Sequence, residues 1–188
     1  MTFEHTGGVS LDVSATTADA RALRAAPASF ADVAEGELDA VYRYLVFLTG
    51  DRSLAEDLAA ETFEKALRSW RRFDPRRAAP RTWLCRIARN VALDHLRAER
   101  RRRHREERWA SATGDSVEPV FSEGLSAPLE QALRELSAGE REVLALRVVL
   151  ELDGPSAARV LGISATACST RLSRALKRLE ERMTDVPG

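Results

Sequence analysis

From Phe30 to about Arg105 the apolar residues recur at three- and four-residue intervals. The pattern is helical, and it is interrupted at "LTGDRS" (48–53) and "FDPRRAAPR" (73–81), where Gly, Asp and Pro supply turn chemistry. One helical domain is predicted over residues 29–108. Residues 1–28, rich in Ala, Thr, Gly and Asp, lack any sustained apolar period and predict a mobile tail. Residues 109–127, rich in Ser, Gly and Pro, predict a flexible linker. A second helical unit is expected over 128–185. Strand-like alternation is missing throughout, so the fold class is all-α: two small helical domains joined by a linker.

The second unit carries its own punctuation. Ser137 followed by Glu140 is a capping-box signature. Pro155 suits a first helical turn, Gly162 ends that short helix, and Ser164 caps the next. This is helix-turn-helix spacing. On the last helix Cys168, Leu172, Ala175, Leu176, Leu179 and Met183 share an apolar face. Thr166, Ser169, Thr170, Ser173, Arg174 and Lys177 fall roughly opposite. In a DNA-binding helix-turn-helix such a face enters the major groove; on a plain helical hairpin it is merely solvated.

In "RTWLCRIARNVALDHLRAERRRRHR" (81–105), Leu84, Ile87, Ala88, Val91 and His95 share a face expected to pack inward. Trp83, Arg86, Asn90, Asp94, Arg97 and Arg101 line up on another. A ring, an amide and guanidinium groups on one stripe suit a single-stranded nucleic acid: bases stack, an amide reads a base edge, and arginines hold phosphates. Trp70, Phe73 and "RRFDPRR" extend that surface. The plainer alternatives are a half-buried core role for Trp83, an arginine partner for Asp94, and a solvated helix end for the arginine run.

In the preceding segment Asp57, Glu61 and Glu64 share a stripe. No Glu-x-x-His repeat accompanies them, and Glu61/Lys65 and Glu64/Arg68 have helix-supporting spacing, so a docking or solvated face outranks a catalytic one.

Charge sharpens this division. The 188 residues carry no net charge, yet residues 1–64 hold 12 acids and 4 bases, 65–108 hold 5 and 16, and 109–188 hold 12 and 9. The central segment is built to face a polyanion. Cys85 and Cys168 lie far apart without metal-ligand spacing and read as core thiols; no metal or cofactor is expected. The longest apolar runs are a few residues, and the N-terminus has no secretory pattern, so a cytoplasmic protein without membrane insertion is expected.

"AEDLAAETFEKALRSW", "FDPRRAAPRTWLCRIARNVALDHLRAERRRR", "LSAGEREVLALRVV" and "ARVLGIS…RLSRALKRL" together resemble bacterial RNA polymerase sigma factors of the extracytoplasmic-function (ECF) group. The resemblance implies a sigma domain 2 helical bundle and a sigma domain 4 helix-turn-helix, without an intervening domain. It implies core RNA polymerase (beta and beta-prime subunits) and promoter DNA as partners, with control by an anti-sigma factor. Asp57 and Glu61 then match the helix that docks on core polymerase. Trp83, Ile87, Asn90 and Arg97 match the segment that captures the opened minus-ten element, and Arg171 and Arg174 match the recognition helix that reads the minus-35 element. The chain departs from the family at Ala60, at Ser156 and Ala157, and at Cys168, Ser169 and Thr170, the last of these making domain 4 less basic.

Two rival readings compete. A free helix-turn-helix regulator leaves the minus-ten-like block without purpose, and a small hydrolase lacks a catalytic cluster, since His5, His95 and His104 are scattered.

Overall fold

The computed structural model describes residues 29–107 and 126–184; the expected tail and nearly all of the expected linker lie outside them. Among the described residues every regular element is helical. Helix α1 (Phe30–Thr49) opens with a capping box in which the Ser29 hydroxyl accepts from the Asp32 amide and Asp32 accepts from the Ser29 amide. Gly50 ends it in the left-handed conformation, φ 69°, which costs a residue without Cβ nothing. Asp51 caps α2 (Arg52–Ser69) by accepting from the Leu54 amide at 3.0 Å. A 3-10 turn (Trp70–Arg72) and the loop 73–79 lead into α3 (Pro80–Glu107). Proline at the first position of α3 sacrifices no hydrogen bond, because that amide has no intrahelical partner.

The C-terminal unit comprises α4 (Ala127–Glu135), α5 (Ala138–Leu144), a π turn (Ala145–Val149), α6 (Gly154–Leu161) and α7 (Ala165–Thr184). The Ser137–Glu140 capping box forms. Gly162 closes α6 at φ 67°, and the Ser164 hydroxyl accepts from the Ala167 amide at 3.1 Å, so α6, a three-residue turn and α7 make the expected helix-turn-helix. Asp153, not foreseen as a cap, accepts from the Ser156 amide at 2.6 Å.

Two expected faces need correction. His95 is exposed, and the inward face of α3 is Leu84, Cys85, Ala88, Val91 and Ala92, with Ile87 half-buried. At about 1.5 Å per residue α3 is roughly 42 Å long and outruns the shorter helices it packs against, so the apolar contact ends near Ala92. Leu176 and Met183 are likewise exposed, at 46% and 41%, while Cys168 and Ala175 are buried. Leu172 and Leu179 pack on the core and Arg182 pairs with Glu135 of α4 at 2.8 Å, so the helix is covered into its second half and Leu176 lies at the edge of the buried face, next to buried Ala175.

The two units are not separate bodies in this structure. Helix α5 and the π turn pack on α1, and α6 packs on α3. Their buried apolar residues, from Val41, Leu45 and Leu84 to Val143, Leu146 and Ala157, form one continuous cluster.

Candidate nucleic-acid interface

The start of α3 is held by aromatic packing. Phe30 meets Trp70 edge-on with ring centroids 5.5 Å apart, Trp70 stacks on Phe73 at 5.0 Å, and Phe73 lies 4.8 Å from Trp83. Such pairs add roughly 0.5–1.5 kcal/mol each beyond simple burial. Trp83 is therefore half-buried, as the plainer sequence reading had it. It nevertheless also lines a cavity of about 250 Å³ with Phe73, Asp74, Arg77, Thr82 and Arg86. The loop that forms the cavity rim is ordered locally by Asp74, which accepts from the Arg76 amide at 2.9 Å.

Thr82 adds a feature that spacing did not signal. The residue is buried, and among the described residues its hydroxyl has no hydrogen-bond partner.

From this cavity Arg86, Asn90, Arg97 and Arg101 run outward along α3, all exposed and on one stripe. Asp94 is the partner of Arg97, at 3.2 Å, which is the structural role the sequence left open for it. Ile87 lies off the stripe and packs against the core.

The second surface is the start of α7. Thr166, Ser169, Thr170, Ser173, Arg174 and Lys177 are exposed there. Arg171 is half-buried: its guanidinium covers Gly139 so closely that a Cβ at that position would come within 3.3 Å of it. Arg178 ties the same helix to Glu140 at 2.8 Å, fixing the outward face. Burial raises the Cys168 thiol above its ordinary value and pushes Cys85 up to about 12, so both stay protonated. Core thiols are what they are.

On α2, Asp57, Glu61 and Glu64 are exposed on one stripe; Glu61 pairs with Lys65 at 2.7 Å and Glu64 with Arg68 at 2.5 Å. Among the described residues no group of three or more His, Cys, Asp or Glu side chains has metal-binding geometry, and no helix is long and apolar enough to cross a membrane.

The Sigma-70 region 2 family matches residues 33–102, the stretch holding α2 and the α3 stripe, and the Sigma-70 region 4 family matches 126–179, the stretch holding the helix-turn-helix. SigM of Bacillus subtilis, an ECF RNA polymerase sigma factor, is 31% identical over 149 residues, covering 74% of this chain and 86% of its own. The chain belongs to the ECF RNA polymerase sigma factors. BldN of Streptomyces coelicolor, another member, is 35% identical over 151 residues, 78% of this chain, but the match spans 57% of BldN's length. A solved neighbour is the sigma factor RpoE bound to the anti-sigma factor NepR from Bartonella quintana, with TM-score 0.66 and 25% identity over 82% of this chain and 96% of RpoE. Sigma factors are transcription initiation factors.

Three residues that join the two units were missed in the sequence: Tyr44, Arg89 and Glu142. Only Glu142 left a trace, as an acid directly preceding the apolar run "VLAL". Arg159, which reaches the cavity rim from α6, left none.

Proposed function

We propose that this chain binds core RNA polymerase, directs it to a specific set of promoters and helps open the DNA, performing no chemistry of its own. The observation that carries this reading is the α3 stripe of Arg86, Asn90, Arg97 and Arg101 leading out of a cavity walled by Phe73 and Trp83, within the region 2 match. A cavity of this size beside a cationic track suits one unstacked base with its phosphates held alongside. Binding of bases outside the stack offsets the few kcal/mol that unstacking costs.

In this proposal Asp57 and Glu61 on α2 dock on the beta-prime subunit of core polymerase. Trp83 and Ile87 support the minus-ten pocket, Asn90 contacts a base, and Arg86, Arg97 and Arg101 hold the strand. Thr166, Ser169, Thr170, Arg171, Ser173, Arg174 and Lys177 face the minus-35 element, and the C-terminal unit also contacts the beta subunit. The protein works in the cytoplasm, where its polymerase and promoters are. The RpoE–NepR complex supports an anti-sigma factor as a further partner.

Reconstitution with core polymerase, followed by genome-wide mapping of transcript starts, tests the proposal. New starts sharing a minus-ten and a minus-35 sequence are expected. Binding to DNA with no association with core polymerase would instead favour a free helix-turn-helix regulator.

A further inference from the structure

The cavity beside Trp83 gathers more positive charge than one base of a promoter strand requires. Arg72, Arg77 and Arg86 of the N-terminal unit line it, and Arg159 of α6 adds a fourth guanidinium from the C-terminal unit. Among the described residues Arg72, Arg77 and Arg86 have no ion-pair partner. The lining offers one acid, Asp74, whose Oδ1 already accepts from the Arg76 amide at 2.9 Å. Four arginines against one aspartate leave the lining with a net charge of +3. Like charges gathered around one cavity repel one another until an anion comes between them.

Arg159 is the fixed member of the set. Its Nη1 donates to the Arg77 carbonyl at 2.6 Å and its Nη2 to the Ser156 hydroxyl at 3.3 Å, which leaves Nε–H and one hydrogen on each Nη unused. The C-terminal unit is itself anchored alongside. Glu142 of α5, 5% exposed, accepts through Oε1 from the Tyr44 hydroxyl at 2.9 Å and from Arg89 Nε at 2.6 Å, and α6 packs on α3. A guanidinium already held by two bonds loses little freedom when it takes a further partner.

Size and walls define the rest of the ligand. Phe73 and Trp83, with ring centroids 4.8 Å apart and planes tilted by 40°, make one aromatic wall. A cavity of about 150 Å³ admits benzene, so the volume of about 250 Å³ here takes a two-ring heterocycle without its sugar and phosphates. Those must lie at the mouth, where Arg72, Arg77, Arg86 and Arg159 are all exposed. A strand passing the cavity brings about one charge per nucleotide. A nucleoside diphosphate instead carries about −3 at neutral pH, one charge on the inner phosphate and close to two on the terminal one. The second of these matches the lining.

We propose that this cavity is a composite site for a free purine nucleoside 5′-diphosphate, with the base on the Phe73–Trp83 wall and the diphosphate between the arginines of the N-terminal unit and Arg159. The proposal rests on the reading of the cavity as a base pocket and adds a soluble ligand for the same walls. A bound nucleotide excludes a promoter base, so its concentration bears on how readily the pocket captures one.

The test uses the full chain, with ADP and GDP as probes and with adenosine and inorganic pyrophosphate as their separate halves, all titrated by calorimetry. Stacking on an aromatic wall multiplies affinity by roughly ten or more. At least one of the two nucleotides should therefore bind one to one, about tenfold or more tighter than either half. Arg72→Ala and Arg159→Ala should each weaken that binding about tenfold, the usual scale for a lost hydrogen bond between charged groups. Arg100→Ala, an exposed position on α3 that does not line the cavity, should leave it unchanged. Circular dichroism checks that each variant keeps its helix content. If Arg159→Ala loses helix, Arg159→Gln, which keeps a donor for the Arg77 carbonyl and removes the charge, takes its place with the same expected loss. Nucleotides that bind no more tightly than pyrophosphate would reduce the cavity to a patch of charge and overturn the proposal. Wild-type affinity in the Arg159 variant would also overturn it, because the site would then belong to the N-terminal unit alone. Failure of the chain to bind core polymerase would sink the sigma reading while leaving these affinities as they are.

Discussion

On α3 the exposed stripe sets Arg86, Arg97 and Arg101 beside an aromatic-walled cavity, whereas the outward face of α7 presents Thr166, Ser169, Thr170 and Ser173 with Arg174 and Lys177. The first surface is strong in charge and stacking, both of which tolerate many sequences; the second is weak in charge and rich in hydroxyl groups, which act over short range and only in register. In the proposed reading the N-terminal unit combines the strength of binding and the opening of DNA at one site. In the same reading the C-terminal unit contributes chiefly alignment. The acidic stripe of α2 and the basic stripe of α3 belong to one bundle, and the proposal gives them different partners.

The largest expected effect breaks the assignment of polymerase docking to the N-terminal unit. Replacing Asp57 and Glu61 together with Arg should cost several kcal/mol of core-polymerase binding, because it opposes like charges across the contact. Both side chains are exposed, so the thermal unfolding of the variant should match the wild type. Unchanged pull-down with core polymerase would return the stripe to a solvated role and leave docking to the C-terminal unit.

A smaller effect sharpens the contrast on α7. Arg174→Ala should cost about 1–3 kcal/mol at the promoter if the guanidinium reads a base edge, and the loss should fall on one position of the minus-35 element. Arg171→Ala should act partly through stability instead, because its side chain covers Gly139. Footprinting with promoter variants, set beside thermal melts, separates these two results.

On α3 the expectation is different in kind. Each of Arg97→Ala and Arg101→Ala should weaken binding to all promoters alike and flatten the salt dependence by about 0.7–0.9 log units per lost phosphate contact. Asn90→Ala should leave that slope intact and impair opening, read by permanganate reactivity of promoter thymines. Normal opening in that variant would make the stripe an electrostatic track only.

The smallest effect is on the frame that carries α7. Hydrogen bonding from Ser137, with Arg178 adding to it against partial burial, holds the Glu140 carboxyl below its ordinary value of 4.5. A depressed folded-state value means the ionised form is favoured by folding, so this stability is present above about pH 4.5 and is lost as pH falls through the lowered value. Ser137→Ala should remove about 1 kcal/mol and much of that acid sensitivity. Thermal melts of the full chain between pH 3 and 7, run on both proteins, would show it (the range chosen to bracket the carboxylate values).

Much of this molecule was open to reading from the sequence because its signals are local. Capping by Ser137 and Ser164, the left-handed stop at Gly162 and the proline at the start of α6 all depend on residues within one turn of each other. The stripe of Arg86, Asn90, Arg97 and Arg101 depends only on helical period, and the helix formed. Where helical period misled, at His95, Leu176 and Met183, it said which residues share a face but neither how far along the helix another element covers it, as at His95, nor how wide the covered strip is, as at Leu176 beside buried Ala175. Trp83 shows the same limit. Its place on the polar stripe was legible, while its half-burial came from Trp70 and Phe73 folding over it.

The sequence by itself therefore determined the elements, their caps, the charge partition and the order of the two family regions, since each is set by neighbours a few residues apart. Tertiary structure alone decided that the units share one core, that Glu142 is buried between Tyr44 and Arg89, and that Arg159 stands at the mouth of the cavity. Those contacts join residues 98, 53 and 82 positions apart. Nothing local marks such pairs, because the free energy of a buried hydrogen-bonded charge depends on which groups the fold brings around it and on how much water it removes.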